Sequence, residues 1–376
     1  MLNKELSQFY IYKVIISISL SLISFFIPIY FYQLGFSLSK IIFFFFLISL
    51  YFFIFTLFTP RIITKFGIRH TILFSMLPLV IYFLSLNYIN SYPILFFISP
   101  FFIALNESLL WVGYHIYFLK YSNEKSRGKQ LSFNYIIIIL TSLIGPLFGA
   151  LLITNLGYVF TYTIGALLAF FSVIPLFFSR EFKAKLNFNY KDLFKYFFNK
   201  KNFNSNISFI GYSIESEIDR ILWPIFIFII LKEILQVGFI VFLTTFVSLV
   251  IVFFMGKLTD LKNKISLIKI GSIFVSISWF LRIFVNTKLK ILFIDTFRIS
   301  SNYALKIPWE TYAYNISKKR KYFEYFVARE LIFKGTRIVV LPLFILIFYL
   351  FSLKIAFVLV FITSGFASLL YAKIKA

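Results

Sequence analysis

Residues 39–69 read SKIIFFFFLISLYFFIFTLFTPRIITKFGIR, and the rest of the chain repeats the pattern of this stretch. Residues 41–60 carry no charge, and a helix of about 20 apolar residues is long enough to cross the hydrocarbon layer of a bilayer. Three basic residues, Arg61, Lys65 and Arg69, follow directly. Because short loops rich in Lys and Arg stay in the cytoplasm, the stretch predicts a membrane helix that ends on the cytoplasmic side.

Apolar segments separated by polar loops recur along all 376 residues, 60% of which are hydrophobic, and predict an integral membrane protein. The loops on one side, with the two terminal segments, hold 29 of the 38 Lys and Arg residues, and the loops on the other side hold five. This bias predicts a multi-pass protein of the cytoplasmic membrane with both termini in the cytoplasm. The twelve predicted spans are 11–32, 39–58, 70–87, 93–118, 132–153, 157–178, 206–231, 236–255, 266–286, 291–315, 331–351 and 354–373.

The composition narrows the classes of function. The formal net charge is +24, but the basic residues lie in short loops that face lipid headgroups, so we expect contact with the bilayer and not with nucleic acid. The chain has no Cys, and its two histidines, His70 and His115, are isolated in sequence, so no metal site is predicted. No nucleotide-binding motif of the form G-x-x-x-x-G-K-S/T occurs, and no cofactor is expected.

The two halves of the sequence repeat at a constant offset of 196 positions, at which Pro146 of the fifth span corresponds to Pro342 of the eleventh. Repeated six-helix units with a binding site between them are typical of secondary transporters. We therefore predict an N-terminal half at 1–178, a cytoplasmic linker at 179–205 and a C-terminal half at 206–376. The corresponding residues of the first and seventh spans are Ser17 and Ser213, Ser21 and Glu217, Ser24 and Arg220, and Pro28 and Pro224.

Three short motifs carry a resemblance to a known family. The loop after the eighth span reads GKLTDLKNK at 256–264, and a degenerate copy without the acidic residue follows the second span at 60–69. The fifth span contains GPLFGA at 145–150, and LGFS follows the first span at 34–37. Together with twelve predicted spans in two repeats, these motifs resemble those of the major facilitator superfamily.

The resemblance implies an all-α, polytopic membrane protein with twelve transmembrane helices in two pseudo-symmetric six-helix halves. In this family spans 1, 4, 7 and 10 line a central cavity, which opens alternately to the two sides of the membrane. The implied partners are a small-molecule substrate, protons and the lipid bilayer, and we expect the chain to act as a monomer.

Two further groups of residues are expected to serve helix movement and helix packing. Asp260 either holds the cytoplasmic side closed, through helix amides or the basic residues at 318–321, or is an ordinary solvated aspartate. Gly145 and Gly149 let a neighbouring helix approach closely, and Pro146 bends the fifth span. The candidate gating residues are Gly67, Arg69, Gly256, Asp260 and Lys264.

Ten ionisable residues lie deep within predicted spans, where a charge at the bilayer centre costs about 2.5–3.5 kcal/mol. Nine of them fall in spans 4, 7 and 10, and Arg282 alone lies in span 9. Since the resemblance places spans 4, 7 and 10 around the cavity, this coincidence is the main functional signal of the sequence. The ten are Glu107, Glu215, Glu217, Asp219, Arg220, Arg282, Asp295, Arg298, Lys306 and Glu310.

Three carboxylates are candidate proton carriers. Glu107 has no basic residue within its own span, and Glu215 and Asp219 lie one turn apart on a face of span 7 that carries no base. Like charges and desolvation both favour the neutral form of a carboxyl, which can then take up and release a proton. The alternative is a structural role in ion pairs within single helices. The pairs spaced for that role are Glu217 with Arg220, Asp295 with Arg298, and Lys306 with Glu310.

Residues on the same helical faces as these charges are candidates for contact with a substrate. Tryptophans on spans 4, 7 and 10 either provide flat walls suited to sugars, aromatic compounds or organic cations, or pack in the core. The cavity candidates are Ser17, Ser21, Ser24, Asn106, Trp111, Tyr114, Ser213, Glu217, Arg220, Trp223, Asp295, Arg298, Asn302, Lys306 and Glu310.

The leading hypothesis is a secondary active transporter, not an enzyme, that works by alternating access and is coupled to protons. Export is favoured because the charges inside spans sum to about −2, which suits amphipathic or cationic compounds. Uptake of a sugar or an organic anion is the alternative, since Arg220, Arg298 and Lys306 could bind an anion. A lipid flippase or a receptor on the same fold stays open, whereas the loops lack the clustered His and Asp of a membrane enzyme.

Overall fold

The chain is helical almost throughout. The computed structural model describes residues 4–122, 127–179, 188–261, 263–318 and 321–374, with the backbone alone given for 4–6, 250–261 and 318. No strand occurs within these ranges. The predicted all-α membrane fold is confirmed, and a helical segment corresponds to each of the twelve predicted spans.

The helices follow the predicted spans closely, but several begin earlier or end later. The helices before the linker are α1 (Lys4–Ile23), α2 (Ile27–Gln33), α3 (Leu38–Phe66), α4 (Ile68–Leu86), α5 (Leu95–Tyr121), α6 (Arg127–Ser172) and α7 (Ile174–Phe177). The linker contains α8 (Tyr190–Phe198). The helices after it are α9 (Phe203–Leu231), α10 (Ile234–Leu261), α11 (Lys264–Arg282), α12 (Lys288–Lys318), α13 (Tyr322–Leu350) and α14 (Leu353–Leu369), followed by a 3₁₀ turn.

Breaks between helices coincide with residues that favour them. The first span is divided into α1 and α2 just ahead of Pro28, which cannot occupy a helix interior without loss of a hydrogen bond. The fifth and sixth spans form one helical stretch that turns at Gly157, whose φ of 83° favours glycine. Lys232, with a φ of 62°, ends α9 ahead of a 119° bend into α10.

Length and apolarity alone identify eight membrane-spanning stretches in the described residues, or nine if α9 and α10 count as one bent span. One of the eight, Arg127–Phe177, is 51 residues long, which is enough for two crossings. The helix α12 does not qualify, because charged and polar residues occupy much of it. The twelve predicted spans are therefore consistent with the structure.

The two termini lie at the same end of the bundle, which we call the terminal end. Gln8 of α1 donates a hydrogen bond to the carbonyl oxygen of Phe178, where the linker begins. Ser208 of α9 donates one to the carbonyl oxygen of Tyr371 in the C-terminal turn. We call the opposite end of the bundle the distal end.

Two helix pairs provide most of the contact between the halves, α3 with α13 and α6 with α10. Within the N-terminal half, α1 packs on α6 through two glycines. A β-carbon at Gly145 would lie 2.0 Å from Oγ of Ser21, and one at Gly149 would lie 2.2 Å from the carbonyl oxygen of Leu22. Gly238 allows α10 an equally close approach to α6. The helix α6 is thus held between α1 of its own half and α10 of the other half by contacts that only glycine permits.

We expect the substitution Gly149→Ala to lower the apparent melting temperature of the purified protein by several degrees. Overpacking of this kind costs about 1–3 kcal/mol, because the added methyl meets backbone that cannot move aside. Gly113→Ala is the matched control, since a β-carbon there makes an ordinary 3.5 Å contact with Ile72. Equal melting temperatures for the two variants in a thermal denaturation assay would contradict this account of the α1–α6 contact.

The candidate gating residues are described only in part. Gly67 makes the turn between α3 and α4 with a φ of 89° and a ψ of 167°, a conformation largely restricted to glycine. Arg69 donates from Nη1 to the carbonyl oxygen of Ser179, 2.5 Å away. Gly256 and Asp260 lie within α10, in the segment for which only the backbone is described. Lys264 is the first residue of α11.

Candidate functional site

A cavity of about 400 Å³ lies between the two halves, nearer the terminal end, and we call it the terminal cavity. Its walls come from α1, α5 and α6 on one side and from α9, α12 and α13 on the other. Aromatic side chains form much of the lining, among them Trp111, Tyr114, Tyr135, Tyr212 and Trp309. The charged residues that line it are Lys13, Glu107, Glu217, Arg220, Lys306, Glu310, Arg329, Glu330, Lys334 and Arg337.

A second cavity of about 350 Å³, the distal cavity, lies between α1, α6, α9, α10 and α12. Its polar lining includes Ser21, Ser24, Asp219 and Asp295. Three residues line both cavities and form the layer between them. These are Arg220, Asn302 and Tyr303.

Glu107 forms ion pairs across the interface between the halves. This residue of α5 lies 3.3 Å from Nη1 of Arg220 in α9 and 2.7 Å from Nζ of Lys334 in α13. Its basic neighbours therefore come from other helices, which a search within its own span could not reveal. One carboxylate of the N-terminal half thus holds two cations of the C-terminal half.

Two more ion pairs face the terminal cavity from the C-terminal half. Glu217 lies 2.9 Å from Nη1 of Arg337 and 3.8 Å from Nη2 of Arg220. Although these distances are short, neither oxygen of Glu217 accepts a well-oriented hydrogen bond among the described residues. Attraction between opposite charges, and not directed hydrogen bonding, thus holds this acid.

His115 of α5 joins the two halves on the terminal side of Glu107. Its Nδ1 lies 2.6 Å from the hydroxyl of Tyr314 in α12, and its Nε2 lies 3.6 Å from Glu330 and is hydrogen-bonded to Arg329, both in α13. Arg329 also pairs with Glu330, at 3.2 Å. No group of three or more His, Cys, Asp or Glu that could hold a metal occurs in the described part of the chain.

A separate cluster of charges is buried inside the C-terminal half, between α9, α11 and α12. Glu215 is fully buried, pairs with Arg298, and accepts hydrogen bonds from Trp279 and Tyr371. Because the cluster lies within one half, its ion pairs stay together if the halves move apart.

Arg282 completes this cluster on the side of the distal cavity. It donates to Asp219 at 2.7 Å and to Asp295 at 2.9 Å, and its guanidinium lies between the rings of Trp223 and Trp279. Their own face of span 7 carries no base, but Arg298 and Arg282 reach Glu215 and Asp219 from neighbouring helices.

Three charged side chains in the terminal cavity have no opposite charge within 4.0 Å among the described residues. Lys13 and Lys306 instead lie over aromatic rings, with Nζ 4.7 Å from the ring centre of Tyr114 and 5.3 Å from that of Tyr212, respectively. The third is Glu310, which faces the hydroxyl of Tyr135 from the opposite half. These side chains keep their charges available inside the cavity.

The net charge of the terminal cavity differs from the sum of about −2 that the sequence gives for the ten ionisable residues within spans. Six Lys and Arg side chains line the terminal cavity against four glutamates, a surplus of two positive charges. That sum left out four basic residues that were expected at the cytoplasmic ends of their helices and that line the cavity, one on α1 and three on α13. The charge of this cavity therefore does not support a cationic substrate. The omitted residues are Lys13, Arg329, Lys334 and Arg337.

Eleven of the fifteen cavity candidates line at least one of the two cavities. Asn106 instead donates to the carbonyl oxygen of Ser75 and joins α5 to α4. Ser213 donates to a carbonyl of α13, Ser17 is buried, and Arg298 lies in the buried cluster. The candidates that line a cavity are Ser21, Ser24, Trp111, Tyr114, Glu217, Arg220, Trp223, Asp295, Asn302, Lys306 and Glu310.

Only one of the three ion pairs predicted within single helices forms, that of Glu217 with Arg220. Asp295 pairs with Arg282 instead, because α11 brings that guanidinium against it. Lys306 does not pair with Glu310, because its ammonium lies over the ring of Tyr212 in α9.

The sequence contained an unused signal for the charges of α13. Glu330, Lys334 and Arg337 are spaced by four and three residues, so they share one helical face. At the offset of 196, the first two correspond to Asn134 and Ile138 of α6, and all of these residues line the terminal cavity. The repeat therefore marks the eleventh span as a second source of cavity residues.

Comparison with known proteins agrees with this architecture. The sequence model of the Major Facilitator Superfamily matches residues 9–304. No curated protein sequence gives a match. The chain therefore belongs to the Major Facilitator Superfamily, a family of membrane transporters, and is a multi-pass membrane protein.

Solved structures of transporters share the fold over nearly the whole chain. The D-xylose-proton symporter has a TM-score of 0.72 at 12% identity, with 96% of each chain covered. The fucose:proton symporter FucP of E. coli has a TM-score of 0.70 at 12% identity, covering 99% of this chain and all of the other. The nucleoside transporter NupG has a TM-score of 0.68 at 12% identity, with 98% of this chain and 97% of the other covered. At such low identity these likenesses establish the fold alone.

Proposed function

We propose that this protein is a secondary active transporter that moves a small molecule across the cytoplasmic membrane by alternating access. The observation that carries the proposal is the layer of Arg220, Asn302 and Tyr303, which separates two cavities at different depths of the bundle. A rocking movement of the halves would open one cavity while it closes the other, and a bound molecule would pass this layer.

We further propose that a proton gradient drives transport and that Glu107 carries the proton. Glu107 belongs to the N-terminal half, and both of its basic partners, Arg220 and Lys334, belong to the other half. A proton on this carboxyl removes the negative charge that attracts both cations. Protonation of one residue thereby weakens the contact between the halves, which is what coupling requires.

The other two candidate proton carriers fit this role less well. The partners of Glu215 and Asp219 all lie within the C-terminal half, so a proton on either residue leaves the contact between the halves unchanged. Glu215 is also fully buried, away from both cavities. We assign these two acids to the stability of the C-terminal half.

The direction we propose is uptake by proton symport. The expectation of export depended on a cationic substrate, which the positive surplus of the terminal cavity does not favour. The terminal end of the bundle also carries most of the basic residues, so we place it, with both termini and the linker, in the cytoplasm.

The test is transport in proteoliposomes of the purified protein, with a collection of metabolites screened with and without an imposed pH gradient. We expect accumulation of a substrate when the distal side is acidic, and loss of accumulation when a protonophore is added. Accumulation that ignores both the gradient and the protonophore would contradict proton coupling. Failure to move any compound, even by exchange, would contradict the transporter proposal itself.

A further inference from the structure

We propose that the substrate is a small organic anion, and that Lys13 and Lys306 bind its charged group in the terminal cavity. This inference rests on the proposed function, since it takes this cavity as the transport site. The two lysines belong to different halves, Lys13 to α1 and Lys306 to α12. An anion bound by both would therefore hold the halves together around itself.

Lys13 has the surroundings of a ligand-binding residue. It lines the cavity although the residue is only 9% exposed, and its Nζ lies 4.7 Å and 5.6 Å from the ring centres of Tyr114 and Trp111. No carboxylate oxygen lies within 4.0 Å of it among the described residues. Glu310 acts on this ammonium only from beyond 4.0 Å. A buried ammonium without a close opposite charge is costly, and an anionic ligand would offset that cost.

Lys306 faces the same space from the other half. It lies partly exposed over the ring of Tyr212, 5.3 Å from Nζ to the ring centre, and again no carboxylate of the described residues is within 4.0 Å. The aromatic ring can contact the apolar part of a ligand, while the ammonium binds its charge. Both lysines thus combine a charge with a flat surface.

The other charges of the cavity leave these lysines to the ligand. The glutamates Glu107, Glu217 and Glu330 are each paired with Lys or Arg side chains of α9 or α13. Glu310 has no Lys or Arg within 4.0 Å among the described residues, but it acts on Lys13 at longer range and also lines the cavity, so it competes with an incoming anion. At about 400 Å³ the cavity falls within the range of roughly 300–1,000 Å³ that holds small molecules.

The test is binding of matched compounds to the purified full-length protein, measured by calorimetry at constant ionic strength. One set is D-gluconate, D-glucose and D-glucosamine, another is benzoate, benzyl alcohol and benzylamine, and D-glucose 6-phosphate distinguishes phosphate from carboxylate recognition. We expect an anion to bind at least about tenfold more tightly than its neutral and cationic counterparts. Equal or tighter binding of a neutral or cationic member, or binding of no anion, would overturn the proposal.

Substitutions connect the binding to the two lysines. We expect Lys13→Gln and Lys306→Gln each to weaken anion binding about tenfold or more, whereas Lys13→Arg keeps most of it. Lys290→Gln is the matched control, because Lys290 lies on the same helix as Lys306 but at its exposed distal end. Glu310→Gln should tighten anion binding, a gain that misfolding cannot produce. Unchanged affinity in both lysine variants would overturn the assignment.

The same compounds separate this inference from the proposed function. If a neutral compound binds in the terminal cavity and is transported, the protein is a transporter and the anion assignment is wrong. If an anion binds in a manner that depends on both lysines but never crosses the membrane, the anion site stands and the transport proposal fails.

Discussion

Glu107→Gln is expected to abolish uphill accumulation of substrate in proteoliposomes while exchange of substrate across the membrane continues. Glutamine resembles the protonated carboxyl, so the variant stays in the state in which Arg220 and Lys334 are released from their pairing with this residue. Exchange needs only the movement of the loaded protein, but net accumulation needs the proton to leave. We expect the initial rate of gradient-driven accumulation to fall at least about 100-fold, in line with removal of an essential acid–base group.

The control for this variant is Glu233→Gln. Glu233 is exposed at the distal end, and its carboxylate accepts a hydrogen bond from Gln236. Its replacement should leave both accumulation and exchange at the level of the unaltered protein. Accumulation at that level by the Glu107→Gln variant would show that the proton is carried elsewhere, and Glu310 would then be the next residue to test.

Arg282→Leu is expected to produce the largest loss of stability. Arg282 is 1% exposed and is hydrogen-bonded to Asp219 and Asp295 between two tryptophan rings. Removal of one partner from a buried ion pair costs about 3–5 kcal/mol, because the remaining charge stays buried without compensation. We expect the apparent melting temperature in detergent to fall by about 6 °C or more.

A double substitution shows whether the buried charge is the cause. Arg282→Leu combined with Asp295→Asn removes both members of the pair, so the loss should be smaller than the sum of the two single losses. Additive losses would contradict the role of the ion pair. The melting temperature of the Arg282→Lys variant should lie between those of the Arg282→Leu variant and the unaltered protein. Lysine keeps the charge but not the flat guanidinium between the rings.

The sequence alone predicted the fold well, because the bilayer imposes a simple rule on it. Each span needs about 20 apolar residues, so the all-helical fold and the order of the helices could be predicted without tertiary information. The ends of the helices were less predictable. The helix α13 begins nine residues before its predicted span. Arg329 and Glu330 were expected in a solvated loop, but they are buried in the protein beside the terminal cavity.

The partners of the charges could not be predicted from single helices. Asp219 and Glu215 share a face without a base in α9, and their arginines come from α11 and α12. Likewise Lys13, which is near the start of the chain and was counted among loop residues, lies in the cavity because α1 crosses beside α5. Such contacts depend on how helices pack, and spacing along one helix does not contain that information.

The most direct test of the account is the accessibility of residue 302 from the two sides of the membrane. The chain has no cysteine, so Asn302→Cys introduces a single thiol into the layer that separates the two cavities. Alternating access predicts that an impermeant thiol reagent labels this cysteine from either side of oriented vesicles. Glu233→Cys, exposed at the distal end, should react from one side only. Reaction of the residue 302 cysteine from one side alone would contradict the account.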